Sequence, residues 1–161
     1  MSNSINSLLI AYSPVDNVIV PGELIECILP YAIPLPFSHP HRAVVGSLIY
    51  KKAKVPIVNL LNLQEQTYQV PLPKNSLGRY RLVMLSSIVE QSFCDHYAII
   101  AYRPPMRLKV TTDNITAINS MPTPYSYNRV RLDLTTGKQQ AYIPKLDVIE
   151  KELFVTPNNA S

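Results

Sequence analysis

The side chains in this sequence that could do chemistry are few and scattered. His39 and His41 flank Pro40, and a pair of histidines is a common start for a metal or acid–base site. The pair lies in a proline-rich link, however, and no Cys, Asp or Glu stands close by in sequence to complete a ligand set. We therefore expect no metal and no cofactor here.

Motifs for a nucleophile or a phosphate loop are also missing. The sequence contains no Gly-x-Ser-x-Gly, and its four glycines are isolated from one another. Cys27 and Cys94 stand in apolar contexts without metal-ligand spacing, so we interpret both as reduced core residues, with a disulfide as the minority alternative. The sequence therefore predicts a protein that is not an enzyme.

Composition indicates a globular, mildly basic protein. The chain has 161 residues, of which 47% are hydrophobic and 16% charged, with a net charge of +4 and a pI near 9.1. This length suits one ordinary domain or two fused small barrels, and the charge suits acidic protein partners. The polar start of the chain and the absence of a run of about 18 apolar residues lead us to expect a cytoplasmic protein.

The elements that would position any site are short strands, because Val, Ile and Tyr are frequent and 15 prolines interrupt helical windows. Apolar or alternating runs predict strands at 7–12, 17–20, 44–50, 55–60, 80–88, 96–102, 106–110, 129–134 and 140–143. Residues 21–28 fit either a strand or one helical turn, and residues 28–37 are an extended connection. Spacings of three and four predict a terminal helix at 145–154, and a polar segment predicts a boundary near 65–78.

Residues 42–62 are the part of the chain best suited to docking. Two apolar runs flank the cationic turn that contains Lys51 and Lys52, and Pro56 lacks a backbone donor, which favours an edge strand. Gly46 would permit close approach of another backbone. Because Val55, Ile57 and Val58 cannot share one face of a strand, we expect some apolar surface to remain for a partner. A free edge beside lysines favours an acidic protein neighbour.

The same stretch resembles the CheW family, the adaptors of bacterial chemosensory arrays. Gly46, the basic turn and Val-Pro-Ile-Val-Asn-Leu at 55–60 match that family's core pattern, and residues 146–153 are similar to its closing segment. The family usually has Arg-Gly at the turn where this chain has Lys51 and Lys52. The family usually has Asp at the position of Asn59. It also has an Asp after the second strand of the second half, where this chain has residues 101–104, beginning with Ala101.

The resemblance implies an all-β, CheW-like fold of two interlocked five-stranded SH3-like β-barrels with a short C-terminal helix. Residues 1–161 would form a single CheW-like domain, with a first barrel at about 7–65, a second at about 78–155, and strand exchange between them. The implied function is a non-catalytic scaffold that links methyl-accepting chemoreceptors to the regulatory domain of a CheA-type histidine kinase. The departures suggest a specialised member, such as the ChpC-like second adaptor of a type IV pilus system that controls twitching motility.

The predicted site residues come from residues 42–62 and from the resemblance to the CheW family. For the kinase the predicted contacts are Gly46, Lys52, Val55, Pro56 and Ile57. For the cytoplasmic tip of the receptor they are Ile25, Cys27 and Lys51, with Ile25 in a groove between the barrels. The protein would be recruited to membrane-anchored arrays without inserting into the membrane itself.

The alternative function is a small barrel that binds nucleic acid. Exposed aromatic rings beside basic side chains can stack single-stranded bases. The sequence offers such residues in Tyr80, Tyr97 and Tyr102 with Arg79, Arg81 and Arg103. The competing interpretation places the tyrosines in the core or at its rim and the arginines on a solvated face.

Overall fold

A computed structural model describes residues 4–63, 72, 78–118 and 121–155. The predicted boundary at 65–78 falls almost entirely outside these residues. The strands are β1 Ser4–Ala11, β2 Asn17–Pro21, β3 Ile25–Pro30, β4 Val44–Tyr50, β5 Ala53–Val58, β6 Arg81–Ser86, β7 His96–Ala101, β8 Met106–Thr111, β9 Ile115–Ala117, β10 Ser126–Leu134 and β11 Gly137–Pro144. One α-helix, α1, spans Leu146–Phe154, and 3₁₀ turns span Gly22–Leu24 and Leu60–Leu63. None of the described helices is long and apolar enough to cross a lipid bilayer.

The strands form two sheets that do not follow chain order. The six-stranded sheet has the order β8-β1-β2-β11-β10-β9, and the five-stranded sheet has the order β3-β6-β7-β5-β4. Each sheet therefore contains strands from before and after residues 64–77. The all-β prediction with one short C-terminal helix is confirmed, although the three-residue strand β9 gives one sheet six strands where five were expected.

Local chemistry explains the two hairpins of the six-stranded sheet, β1–β2 and β10–β11. Between β1 and β2, the hydroxyl of Ser13 accepts hydrogen bonds from the backbone N–H groups of Val15 and Asp16, at 3.2 and 2.9 Å. Such Ser-initiated turns compete well with continued strand. Between β10 and β11, Leu134 pairs with Gly137, whose φ of +132° suits glycine. Residues 21–28 contain both of the alternatives that the sequence left open, a 3₁₀ turn and then strand β3.

Three apolar clusters hold the sheets together. The first lies between the sheets and combines Leu8 and Ile10 of β1 with Val83 of β6, Tyr97 of β7 and the helix α1. The second and third cover the other face of the five-stranded and of the six-stranded sheet. Strands covered on both faces, such as β7, are apolar on both sides and lack clean alternation.

Helix α1 completes the cluster between the sheets. Leu146, Ile149, Leu153 and Phe154 are all buried there, which confirms the spacing seen in the sequence. Pro144 ends strand β11 and does not enter the first helical turn. The helix also buries one charged residue, Glu150, with 0% of its surface exposed.

Candidate partner-binding surfaces

The β4–β5 hairpin ends in a turn made of two lysines in an uncommon conformation. Lys51 and Lys52 have φ of +48° and +67°. Two consecutive left-handed residues are the signature of a type I′ hairpin turn, which normally selects Asn and Gly. Each lysine costs about 1 kcal/mol or more in this region because its Cβ crowds the backbone. Both side chains are exposed, as the sequence predicted.

Glu26 joins this turn to the opposite edge of the five-stranded sheet. Its Oε1 lies 3.8 Å from Nζ of Lys51 and accepts a 3.2 Å hydrogen bond from the hydroxyl of Tyr50. Its Oε2 lies 3.5 Å from Nε2 of His96. Because β3 and β4 are the two outer strands of the sheet, these side-chain contacts connect its two edges. Lys51 thus already forms an ion pair with a carboxylate of its own chain.

Ile25 lines a groove between the two sheets. The groove has a volume of about 520 Å³, and β3 forms one wall while β1 and β8 form the other. Its lining residues are Asn6, Ser7, Leu8, Gly22, Ile25, Arg107, Leu108 and Lys109. Of the three predicted receptor-binding residues, only Ile25 lines this groove. Cys27 is half-buried two residues along β3, and Lys51 reaches β3 only through Glu26.

Most of the predicted kinase-binding residues are buried. Val55 and Ile57 expose 4% and 1% of their surface, and Pro56 and Gly46 are also buried. The expectation that these residues leave apolar surface exposed for a partner is therefore wrong. Ile57 packs in the cluster on one face of the sheet and Val58 in the cluster on the other, so alternation buries both side chains. Only Lys52 of this set is exposed.

The assignment of Pro56 to an edge strand is also wrong. Strand β5 lies between β4 and β7, and its neighbours are antiparallel and parallel to it respectively. The proline is accommodated because the ladder to β7 begins at Ile57, which pairs with Ala98, so Pro56 stands just before that ladder starts. A missing backbone donor can mark the end of a ladder as well as the edge of a sheet.

Gly46 does permit a close backbone approach, but the approaching segment belongs to the same chain. Leu35 of the proline-rich link and Ser47 of β4 exchange two backbone hydrogen bonds, of 2.8 and 2.9 Å. A Cβ on Gly46 would collide with Cβ of Pro34 and would lie 2.6 Å from the carbonyl oxygen of Leu35. The outer edge of β4 is therefore covered at this point by the link.

Covering that edge creates a surface that the sequence interpretation missed. Ile33 and Leu35 of the link and Ile49 of β4 expose 56%, 48% and 55% of their area. The antiparallel Leu35–Ser47 bridge places the link alongside β4. We call these three residues, together with Lys52 at the end of the hairpin, the β4 surface. The only signal for it in the sequence was an apolar residue on each side of Pro34.

The two histidines of the link are held in fixed positions by hydrogen bonds. Nε2 of His39 lies 2.6 Å from the carbonyl oxygen of Leu153, and its Nδ1 accepts the backbone N–H of His41. His39 is therefore the Nε2–H tautomer, with both nitrogens occupied. His41 accepts the backbone N–H of Ala43, and its Nε2 lies 3.8 Å from Glu152. These contacts tie the link to α1.

The remaining candidates for chemistry are dispersed. In the described part of the chain, no three side chains of His, Cys, Asp or Glu converge as a metal site would require. Cys27 and Cys94 are free thiols, and both are half-buried rather than fully in the core. Burial raises the pKa of the Cys94 thiol, which lowers its reactivity at neutral pH.

The aromatic platform for nucleic acid is not formed. Tyr97 and Tyr102 expose 0% and 8% of their surface, and Tyr80 packs against Tyr102 with ring centroids 5.4 Å apart. Rings packed in a core cannot stack on bases. The structure therefore does not favour the nucleic-acid alternative.

The fold belongs to the class built from two packed SH3-like barrels. A solved structure of this class, the scaffolding protein TtCheW from Thermoanaerobacter tengcongensis, superimposes with a TM-score of 0.64 over 89% of this chain and 90% of that one. The two sequences are only 7% identical in this alignment, so the likeness concerns the fold alone. The CheW-like fold predicted from the sequence is thereby confirmed. No protein-family model matches the sequence, and a search of curated proteins also finds no match.

Proposed function

We propose that this protein is a non-catalytic adaptor that couples methyl-accepting chemoreceptors to a CheA-type histidine kinase. The observation that carries the proposal is the backbone likeness to a scaffolding protein over nine-tenths of both chains. The cationic hairpin, the inter-sheet groove and the β4 surface support it, since these are features for docking proteins. Such an adaptor would work in the cytoplasm at membrane-anchored receptor arrays.

The receptor tip would bind in the groove beside Ile25. An amphipathic helix can bury its apolar stripe in a groove of this kind. Arg107 and Lys109 of β8 line the opposite wall, so the polar side of the helix would present acidic residues to them. Cys27 and Lys51 would act at the margin of this contact, Lys51 through its link to Glu26.

The kinase regulatory domain would bind at the β4 surface. Ile49 and Lys52 would make the side-chain contacts, since both are exposed at the end of the hairpin. Gly46, Val55, Pro56 and Ile57 would contribute indirectly, because their packing fixes the hairpin and the link that carries Leu35. The exposed lysines mainly accelerate encounter with an acidic partner, while the apolar residues hold it.

We assign the adaptor to a pathway that controls type IV pilus twitching motility. The departures from the usual CheW pattern at Lys51, Lys52 and Asn59 support this proposal, because they fit a specialised second adaptor. Deletion of the gene should impair twitching. Normal twitching with a defect in another receptor-controlled behaviour would refute this assignment and leave the adaptor role intact.

A pull-down with the kinase regulatory domain tests the adaptor role directly. The full chain should retain the domain at physiological salt, and added RNA should not compete. Retention of RNA with no retention of the kinase domain would reject the adaptor and restore the nucleic-acid alternative. The Ile49→Asp variant should lose the kinase domain, while Val15→Asp, at a side chain 81% exposed in the β1–β2 turn, is the matched control.

A further inference from the structure

A second concave site, separate from the groove at Ile25, lies where β1 and β2 meet the connection that follows β7. It has a volume of about 240 Å³. Arg79, Arg103, Asn17 and Gln139 provide its polar lining, while Leu9 and Met106 are among its apolar walls. It shares no lining residue with the groove, and the proposed adaptor function assigns it no role.

Arg103 is held in one orientation by the protein. Its Nη1 donates to the carbonyl oxygen of Pro14 at 3.2 Å, and its Nη2 donates to Oδ1 of Asn17 at 2.9 Å. Asn17 is itself only 7% exposed and donates through Nδ2 to the carbonyl oxygen of Gln140. A guanidinium carries five N–H donors, so among the described residues these two bonds leave three donors for a ligand. The side chain of Arg103 is therefore ordered before a ligand binds, which reduces the conformational entropy lost on binding.

The charges of the pocket are unbalanced. Among the described residues that line the pocket there is no Asp or Glu, and in the same part of the chain neither Arg79 nor Arg103 forms an ion pair. Two arginines therefore line one concavity, and no acidic side chain of the described residues lines it with them. Arginine is well matched to carboxylate and phosphate because its planar donors bind paired oxygens.

We propose that this pocket binds the phosphate group of a small phosphomonoester. The two positive charges match a phosphate dianion better than a single carboxylate. The apolar walls at Leu9 and Met106 accommodate a short carbon chain beyond the phosphate. The volume lies below the range of about 300 to 1,000 Å³ that is usual for drug-sized ligands, which limits the ligand to a few carbon atoms.

Calorimetric titration of the full chain at constant ionic strength tests the proposal with inorganic phosphate, glycerol 3-phosphate and acetate. We expect saturable binding of both phosphates, tighter for the ester because its carbon chain contacts the apolar walls, and much weaker binding of acetate. Equal affinities for both phosphates would identify inorganic phosphate as the ligand and refute the ester. Acetate binding as tight as phosphate would refute the choice of a dianion.

Variants separate a built site from general attraction to a basic protein. Arg79→Gln should weaken phosphate binding about tenfold or more, as expected for the loss of a charge-assisted hydrogen bond. This variant breaks no hydrogen bond or ion pair of the described chain, so folding is not at issue, whereas Arg103→Gln also removes bonds to Pro14 and Asn17. Arg107→Gln removes the same charge from the other groove and should leave the affinity unchanged. Equal losses in Arg79→Gln and Arg107→Gln, or no saturable binding at all, would overturn the proposal.

Discussion

The hydroxyl of Tyr97 donates a 2.9 Å hydrogen bond to Oε2 of Glu150 in the centre of the protein. Oε1 of the same carboxylate accepts the backbone N–H groups of Ile88 and Val89, at 2.8 and 3.1 Å. One side chain of α1 thus satisfies three donors from the five-stranded sheet and the loop that follows β6. A buried carboxylate is tolerated when its oxygens are hydrogen-bonded in this way.

Replacing Glu150 should destabilise the protein according to how many donors are left unsatisfied. Glu150→Ala leaves three buried donors without an acceptor and also leaves a cavity. We therefore expect a loss of roughly 3 to 5 kcal/mol in the free energy of unfolding. Glu150→Gln keeps one carbonyl oxygen for the two backbone N–H groups and should lose less. Urea unfolding followed by circular dichroism measures both variants. Equal losses in the two would show that the hydrogen bonds contribute little.

Stability should fall at alkaline pH because of Tyr97. Burial, and secondarily the nearby charge of Glu150, raises the pKa of Tyr97 well above its ordinary value of 10.0. The unfolded chain releases this proton near pH 10 and the folded chain does not. The contribution to stability is therefore complete below about pH 10 and is lost as the pH rises toward the folded pKa. Unfolding free energies measured at about pH 9 and about pH 11 should differ less in Tyr97→Phe than in the wild type. The exposed Tyr127→Phe, as a control, should retain the wild-type difference.

A side chain at Gly46 should disturb the fold rather than only a partner contact. The new Cβ of Gly46→Ala would collide with Pro34 and with the carbonyl oxygen of Leu35, so we expect a loss of about 1 to 3 kcal/mol. Gly46→Trp should displace the link altogether. Pro34→Gly removes one of the colliding atoms, so the double variant should be more stable than the sum of the single losses predicts. Strict additivity in urea unfolding would contradict the collision.

Ile25→Asp should abolish receptor binding while the kinase contact survives. A carboxylate in the groove places a polar group against the apolar stripe of the incoming helix. Binding of a receptor-tip fragment and of the kinase regulatory domain should be measured in parallel, with Val15→Asp as the control. Loss of both interactions together with unfolding would show that Ile25, which is half-buried, serves the core.

Charge reversal of Lys51 and Lys52 should slow association with the kinase domain and change its dependence on salt. Exposed charges at the margin of an interface act mainly on the encounter rate, by steering. Stopped-flow association rates at several salt concentrations measure the effect. Lys138→Glu, at an exposed lysine in the β10–β11 hairpin, is the control. Unchanged association rates in the double variant would show that the turn is not part of the interface.

The sequence by itself determined the terminal helix and nine of the eleven strands that the structure describes. Their signals are local: alternation, turn residues and the spacing of Leu146, Ile149 and Leu153 act within a few residues of one another. It also pointed to Gly46 as a place where backbones approach and to the exposed lysine turn. These properties depend on the residues themselves and on their immediate neighbours.

The tertiary structure alone decided which strands share a sheet, and with that which residues are accessible. Pairing of Ile57 with Ala98 places β5 inside its sheet, and packing on both faces then buries Val55 and Ile57. The partner of Gly46 proved to be Pro34, and Glu150 and Tyr97 met across 53 residues of chain. Periodicity records that a side chain will be buried but not what covers it, because contacts distant in sequence are set by how the sheets pack.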